Sequence, residues 1–287
     1  MRIKGIDKLR EKLPAYSGNR IAILPFQGAL VAVLGYIFLV GLSILPRMFS
    51  GNDFLIMLEP FLPMIGAFFI AGLGLWLIWG VWNKREQMKE KYGNLAYQKI
   101  IPRGVTGVFM VPCLVFMAFT SIRSLPPGPP VNDITKLWST SLLQLIGIAS
   151  PIDVWTRIIV SGLLLVLGVL TVRSALLTFG LDYKMVVYLY YPEESEIQNH
   201  EIYSVVRHPT YLGGVFLAAA GLFFRFSVYS IFLGFLTALV FRLQIWKEEK
   251  ELVERFGEGY NEYRKSVPAF LVRPSKMKAY FRFLKPD

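Results

Sequence analysis

The sequence predicts an all-α integral membrane protein, a polytopic bundle of about six transmembrane helices that includes a C-terminal helical hairpin. Hydrophobic residues make up 54% of the 287 residues, and the mean hydropathy is +0.47, which is too apolar for a soluble domain that must also present a polar surface. Long apolar runs alternate with short polar segments, and the basic residues are concentrated in every second segment. These patterns together indicate a chain that crosses a bilayer repeatedly.

The apolar runs set the number of crossings. A helix needs about 20 apolar residues to span the roughly 30 Å of hydrocarbon. The sequence provides such runs at residues 21–45, 61–82, 104–122 and 156–179. A longer block, residues 211–241, is interrupted by Arg225 and Ser227, which predicts a hairpin of two rather short helices.

The basic residues indicate the orientation, because Lys and Arg concentrate in the cytoplasmic segments of membrane proteins. Six precede the first run, six follow the second run up to Arg103, and eleven lie in the tail from Arg242 onward. The alternate segments carry few, such as Arg47 in one and Arg225 in the hairpin. We therefore expect both termini on the cytoplasmic side, facing anionic membrane lipids, and we expect no nucleic-acid partner for the net charge of +11.

Residues 1–150 form a predicted N-terminal transmembrane region of three helices. The first apolar run is long enough to stay in the membrane as an anchor rather than act as a cleaved signal. A Pro-rich stretch at residues 125–130 predicts an external loop, and the short apolar stretch at 137–149 is expected to lie along the membrane interface. The one cysteine, Cys113, lies in an apolar run, so no disulfide framework is expected, and no metal site is predicted.

A first polar cluster begins the C-terminal hairpin with the run Arg207-His208-Pro209. Proline is favoured in the first turn of a helix, and it pushes the residue before it toward an extended conformation. The run therefore predicts a helix that starts at the membrane surface and presents free backbone N–H groups. Gly213 and Gly214, one turn later, would leave room for a ligand against the backbone.

A second polar cluster follows the hairpin. On a continuous helix, Arg242, Trp246 and Glu249 fall at i, i+4 and i+7 on one face, with Glu248 beside them. Phe256-Gly257 predicts the end of this helix with a left-handed cap. Two tyrosines three residues apart follow, and their polar-tipped rings suit a site between lipid and water.

Together these elements resemble a known family. Arg-His-Pro-x-Tyr-x-Gly, a hairpin, Glu-Glu-x-x-Leu and Phe-Gly-x-x-Tyr-x-x-Tyr-x-x-x-Val-Pro occur here in that order. The combination is similar to the isoprenylcysteine carboxyl methyltransferase and phospholipid methyltransferase superfamily of membrane enzymes. The resemblance covers roughly residues 156–273 and implies that residues 151–287 form a methyltransferase-like membrane domain with a cytosolic tail.

The resemblance also implies a cytosol-facing pocket for S-adenosylmethionine, open sideways to lipid for a lipid or prenylated acceptor. The cofactor-binding residues that it implies are Tyr203, His208, Pro209, Tyr211, Gly213, Glu248, Glu249, Tyr260 and Tyr263. A carboxylate acceptor would need a cation such as Arg242 or Arg207, whereas an amine acceptor would need a carboxylate such as Glu249 to take its proton. The sequence supplies both kinds of residue and does not choose between them.

Two other functions are compatible with the same architecture. Membrane sterol and steroid reductases resemble this C-terminal region and bind NADPH, although the Glu-Glu pair and Thr210 favour methyl transfer. A non-catalytic membrane scaffold would keep the fold without binding either cofactor.

Overall fold

The computed structural model describes residues 4–285, and within that range the chain is helical with no β-strand. The α-helices are, in chain order, α1 (Ile6–Glu11), α2 (Ile23–Met48), α3 (Asp53–Leu58), α4 (Leu62–Asn83), α5 (Arg85–Tyr92), α6 (Ala96–Phe119), α7 (Asp133–Trp138), α8 (Leu142–Leu145), α9 (Ile152–Phe179), α10 (Leu181–Lys184), α11 (Val187–Tyr190), α12 (Pro209–Arg225), α13 (Val228–Phe256), α14 (Glu258–Ser266) and α15 (Met277–Leu284). Arg2, one of the basic residues counted before the first apolar run, lies outside the described residues.

Five helices, α2, α4, α6, α9 and α13, are long and apolar enough to cross a membrane. Their outer faces carry exposed apolar side chains such as Phe26, Leu163 and Phe235, as expected where lipid replaces water. The predicted polytopic helical bundle is therefore confirmed. The sixth long helix, α12, has 17 residues and is about 25 Å long, which is short for a full crossing, as its sequence predicted. Helix α13, also expected from the sequence to be short, has 29 residues because it continues past the apolar block into the charged segment that begins at Arg242.

Helices α12 and α13 form the predicted hairpin, joined by only Phe226 and Ser227. Phe226 has a left-handed φ of 45° that reverses the chain. The Ser227 side chain then accepts a hydrogen bond from the backbone N–H of Ser230, and the Ser230 hydroxyl accepts one from the backbone N–H of Ser227. This reciprocal cap satisfies two of the free N–H groups at the start of α13.

The core of the bundle surrounds α6, which packs against α2, α4, α12 and α13. Leu39, Ala67, Leu114 and Leu233 come from four different helices and belong to one buried cluster. Residues 1–150 and 151–287 therefore share a core, and the boundary near residue 150 is not a boundary of packing.

Helices α9 and α12 cross where two glycines meet. A Cβ atom on Gly213 would lie 3.0 Å from the carbonyl oxygen of Gly168 and 2.7 Å from Cγ2 of Val172. Small residues at such a crossing let two backbones approach closely, which is how membrane helices gain packing energy. This contact determines which face of α12 is turned away from α9.

A buried ion pair holds the end of the bundle opposite the termini. Nε of Arg47 donates to Oε1 of Glu59 at 3.1 Å, and the two side chains are 2% and 0% exposed. The same guanidinium donates to the carbonyl oxygens of Ile122, Leu125 and Gly128, so it anchors the Pro-rich loop. Arg47, expected from the sequence to be a loop residue, is a structural centre of this end.

We expect Glu59→Ala to destabilise the protein by about 3 kcal/mol or more, because it leaves the Arg47 guanidinium buried without a counter-charge. Thermal unfolding in detergent should show a clearly lower midpoint. Glu86→Ala is the matched control, since Glu86 is 77% exposed in its ion pair with Arg85 and such surface pairs contribute about 0–1 kcal/mol. Equal losses of stability in the two variants would contradict this account of Arg47.

Candidate functional site

A cavity of about 630 Å³ lies at the end of the bundle that carries both termini. Its polar wall comes from the start of α12, the last turns of α13, α14 and the segment 181–203. The rest of its wall is apolar and includes Ile6 and Leu9 of α1, Leu24 of α2 and Phe109 of α6. Residues outside the C-terminal motifs therefore contribute to the site.

Glu249 joins the two sequence motifs. Its Oε1 accepts hydrogen bonds from Nε and Nη2 of Arg207 at 3.0 and 2.6 Å and lies 3.2 Å from Nε2 of His208. The Arg264 guanidinium approaches the other oxygen at 3.7 Å. The side chains of Arg207, His208 and Glu249 are 7%, 7% and 14% exposed, so this carboxylate compensates buried positive charge.

Backbone carbonyl groups at the end of α14 and just after it accept the remaining hydrogen bonds of Arg207 and His208. Nη1 of Arg207 donates to the carbonyl oxygens of Arg264 and Val267. The backbone N–H of Arg207 donates to the Pro268 carbonyl at 2.9 Å, and that of His208 donates to the Ala269 carbonyl at 3.1 Å. Hydrogen bonds to residues 264–269 thus hold the start of α12 in place.

Glu248 lies on the cavity side of the same helix. Its carboxylate accepts hydrogen bonds from the Tyr211 hydroxyl and from Nε2 of Gln244, the latter at 3.1 Å. Its second oxygen lies 3.8 Å from Nδ1 of His208. Neighbouring glutamates therefore have separate tasks, because Glu249 binds the protein's own cations while Glu248 lines the cavity.

Lys184 adds a cation to the cavity wall. Its ammonium donates to the Tyr203 hydroxyl at 2.8 Å and to the Thr210 hydroxyl, and no carboxylate oxygen within residues 4–285 lies within 4.0 Å of it. Burial lowers the pKa of Lys184 to about 7, although the charge of Glu248 opposes that shift. Near neutral pH this side chain can therefore change its charge.

Aromatic rings surround the lysine and line the wall beside it. Phe179 stacks on Tyr203 with ring centroids 4.6 Å apart, and the Lys184 ammonium lies 4.6 Å from the Phe179 ring centroid. Next to them, Tyr260 and Tyr263 pack edge to face at 5.8 Å, and the Tyr263 hydroxyl donates to the Tyr203 carbonyl oxygen at 2.6 Å. Burial raises the pKa of both of these tyrosines, so their hydroxyls stay protonated.

The apolar part of the cavity reaches the outer surface of the bundle. Val108 of α6 and Leu176 of α9 line the cavity and are also 52% and 40% exposed. Pro25 at the start of α2 lines the same region. An apolar molecule could therefore enter from the side, between these helices.

The cavity wall includes seven of the residues singled out in the sequence: Tyr203, Arg207, His208, Tyr211, Glu248, Tyr260 and Tyr263. Three expected cofactor contacts do not line the cavity, namely Gly213, Pro209 and Glu249, whose carboxylate binds Arg207 and lies against His208. Gly213 faces α9, where a Cβ atom would meet Gly168 and Val172, so its small size serves helix packing rather than ligand access. Pro209 is buried at the first turn of α12 and does not line the cavity.

Arg242, the expected partner of a carboxylate acceptor, also lies outside the cavity. Its side chain is exposed. The helical period does place Arg242 near the Glu249 side of α13, but the groups around Glu249 come from residues 207–208 and from α14, two turns further along. Gly257 ends α13 as expected and has a positive φ of 58°, but its ψ of −130° is not that of a left-handed helical cap.

Sequence reasoning missed Lys184 and the contribution of residues before 150. A signal for Lys184 exists, since Gly180 follows the apolar run of α9 and has a φ of 90°. A glycine after a helix predicts a chain reversal, which returns the next residues toward the bundle end. The apolar residues of α1 carry no comparable signal, because the contact with α10 that brings them to the cavity is long-range.

We expect Glu249→Ala to destabilise the protein by about 3 kcal/mol, because the buried Arg207 loses its counter-charge. The midpoint of thermal unfolding measures this loss. Glu254→Ala on the exposed side of α13 is the control and should be nearly neutral. An unchanged midpoint in Glu249→Ala would mean that Arg207 is not held as described.

Comparisons with known proteins match the C-terminal part of the chain. Residues 159–254 match the model of the isoprenylcysteine carboxyl methyltransferase (ICMT) family. A protein-S-isoprenylcysteine O-methyltransferase of Schizosaccharomyces pombe is 33% identical over 114 residues, which is 37% of this chain and 45% of that protein. The chain thus aligns with less than half the length of this relative, and no solved structure matches it significantly. The matched segment contains α12, most of α13 and the residues Arg207, His208, Glu248 and Glu249, and this part of the chain is similar to the isoprenylcysteine carboxyl methyltransferase family.

Proposed function

We propose that the protein transfers a methyl group from S-adenosylmethionine to the carboxylate of a prenylated or otherwise lipid-borne acceptor. The observation that carries this proposal is one cavity that combines Glu248, His208 and Lys184, a lysine with no ion pair among residues 4–285, with an apolar wall open toward the lipid. The family match supports methyl transfer. The name of the Schizosaccharomyces pombe relative supports an oxygen acceptor on a prenylated cysteine.

The polar wall has the chemistry that a sulfonium cofactor requires. A carboxylate and several aromatic faces favour a bound cation, and Glu248, Tyr260 and Tyr263 provide them in one wall. The cavity volume of about 630 Å³ lies within the range of ligand pockets, about 300–1,000 Å³. S-adenosylmethionine would supply an activated methyl group there, and the residues of this chain would bind it and exclude water.

The positive charge of Lys184 suits the carboxylate of the acceptor. A carboxylate acceptor is already ionised, so the site needs a cation to orient it rather than a base to deprotonate it. Arg207 is engaged by Glu249, and the other lining guanidinium, Arg255, is engaged by Glu251. Lys184 is then the lining cation that remains available, and we assign it the role that was expected from the sequence for Arg242 or Arg207.

The apolar wall suits the acceptor's hydrocarbon chain. Leu24, Val105 and Phe109 line the region that opens between helices. Burying such a chain contributes about 0.8 kcal/mol for each CH₂ group. Acceptor selection would then depend on residues outside the matched segment.

We also propose that the cavity faces the cytoplasm. The basic residues of the N-terminal segment, of the segment after α4 and of the tail lie on the cavity side of the bundle in this topology, as the bias of Lys and Arg toward the cytoplasm favours. Accessibility of single cysteines placed at each end, in cells, would test this orientation.

We expect purified protein in detergent to bind S-adenosylmethionine and not NADPH in calorimetric titrations. His208→Ala should weaken this binding tenfold or more, about 1.4 kcal/mol, because the ring lies between both glutamates. Arg242→Ala is the control and should bind normally, since that side chain is outside the cavity. Binding of NADPH instead would support a reductase, and binding of neither cofactor would support a scaffold.

We expect the specificity constant for a prenylcysteine acceptor to fall as the pH rises above about 7, approaching tenfold for each pH unit. The reason is the pKa of Lys184, lowered to about 7 by burial, above which the ammonium that holds the acceptor is lost. Lys184→Arg should remove this dependence, because arginine stays protonated. The pH profile of kcat/KM, measured with saturating cofactor, checks this, and an unchanged profile in Lys184→Arg would exclude the assignment.

A further inference from the structure

We propose that a groove between α9 and the C-terminal helix α15, on the outside of the bundle, binds one anionic phospholipid. Its acyl chain would lie along α9, and its phosphate would be held by the basic side of α15. This site is separate from the cavity described above, and the inference does not depend on methyl transfer.

The groove is apolar along its length and ends at a cation. Its lining residues are Ile158, Ile159, Gly162, Leu163, Val166, Leu167, Leu170, Phe281, Leu284 and Lys285. The stretch of α9 from Ile158 to Leu170 rises about 18 Å, close to half of the roughly 30 Å of hydrocarbon. One acyl chain of one leaflet therefore matches its length.

Helix α15 is anchored by one face and exposed by the other. Tyr280 and Leu284, one turn apart, are 2% and 4% exposed, and the Tyr280 hydroxyl lies 2.5 Å from the Thr171 hydroxyl of α9. Met277 and Phe281 are instead 43% and 50% exposed. A short helix with buried, exposed apolar and basic sides is the pattern of a helix at a membrane interface.

The basic side of α15 has no acidic partner among the described residues, and the Arg282 guanidinium lies 5.3 Å from the centroid of the neighbouring Phe283 ring. Lys278, Arg282 and Lys285 lie at i, i+4 and i+7, so they form one stripe along the helix, and all three are exposed. Within residues 4–285 none of them has a carboxylate oxygen within 4.0 Å. Residues 267–285 contain five basic residues and no acidic residue, which suits an anion and disfavours a cationic or neutral ligand.

The level of the groove in the membrane suits a lipid rather than a soluble ligand. Arg173 lies two residues from Thr171 on α9, and a long cation at the end of an apolar helix normally reaches for the headgroup layer. Tyr280 contacts α9 at this level, and the groove continues from there over the exposed apolar face of α9 toward the other end of the bundle. A phospholipid would fill the groove with its phosphate at the basic end beside α15 and its acyl chain along the apolar face of α9.

The test uses the full-length protein in detergent, titrated with phosphatidylglycerol or phosphatidylcholine and observed by native mass spectrometry and by thermal unfolding. We expect phosphatidylglycerol to be retained and to raise the unfolding midpoint more than phosphatidylcholine does. Combining Lys278→Gln, Arg282→Gln and Lys285→Gln should weaken phosphatidylglycerol retention at least tenfold. Because these side chains are exposed and have no ion pair within residues 4–285, the midpoint without lipid should not change.

Two further variants separate this site from general charge effects. Lys84→Gln, Lys91→Gln and Lys99→Gln together remove the same charge from exposed positions on the same side of the bundle and should leave retention within twofold. Gly162→Leu should fill the groove and reduce retention, since a Cβ atom on Gly162 meets nothing within 4 Å and the fold can accept it. Equal retention of the two lipids, equal loss in the two triple variants, or undiminished retention in Gly162→Leu would each overturn the proposal.

Discussion

The site depends on the neutralisation of Arg207 by Glu249. A buried guanidinium is tolerated only with a counter-charge and with acceptors for its remaining N–H groups, and Glu249 together with the carbonyl oxygens of Arg264 and Val267 meets that demand. The same carboxylate contacts His208. One residue on α13 thereby determines how the beginning of α12 lies against the end of α13, and the cavity forms between them.

The packing of α12 against α9 then determines the direction in which the other site side chains point. The contact of Gly213 with Gly168 turns one face of α12 toward α9, which leaves Tyr211 free to reach Glu248 on the other side. Glu248 and Glu249 are adjacent in sequence but about 100° apart around the helix. For that reason one meets the protein's own cations and the other meets the cavity.

The cavity joins two environments that a membrane protein can bring together at its surface. Its polar end holds titratable groups close to water, and its apolar wall reaches exposed residues of α6 and α9. A lysine between these environments is desolvated, which lowers its pKa. The charge state of Lys184 thus follows from its position between aromatic rings and hydroxyl groups rather than from any neighbour in sequence.

The sequence by itself determined the helical class, the membrane location, the hairpin and the two motifs that meet, because apolar run length, Pro209 and the Phe256-Gly257 boundary act locally. It also indicated His208, Glu248 and Glu249, since their spacing is carried by single helices. Only the tertiary structure decided that Gly213 packs against α9, that Arg242 lies outside the cavity and that Lys184 and α1 help to line it. Those outcomes depend on which faces of separate helices come into contact, and the period of one helix does not contain that information.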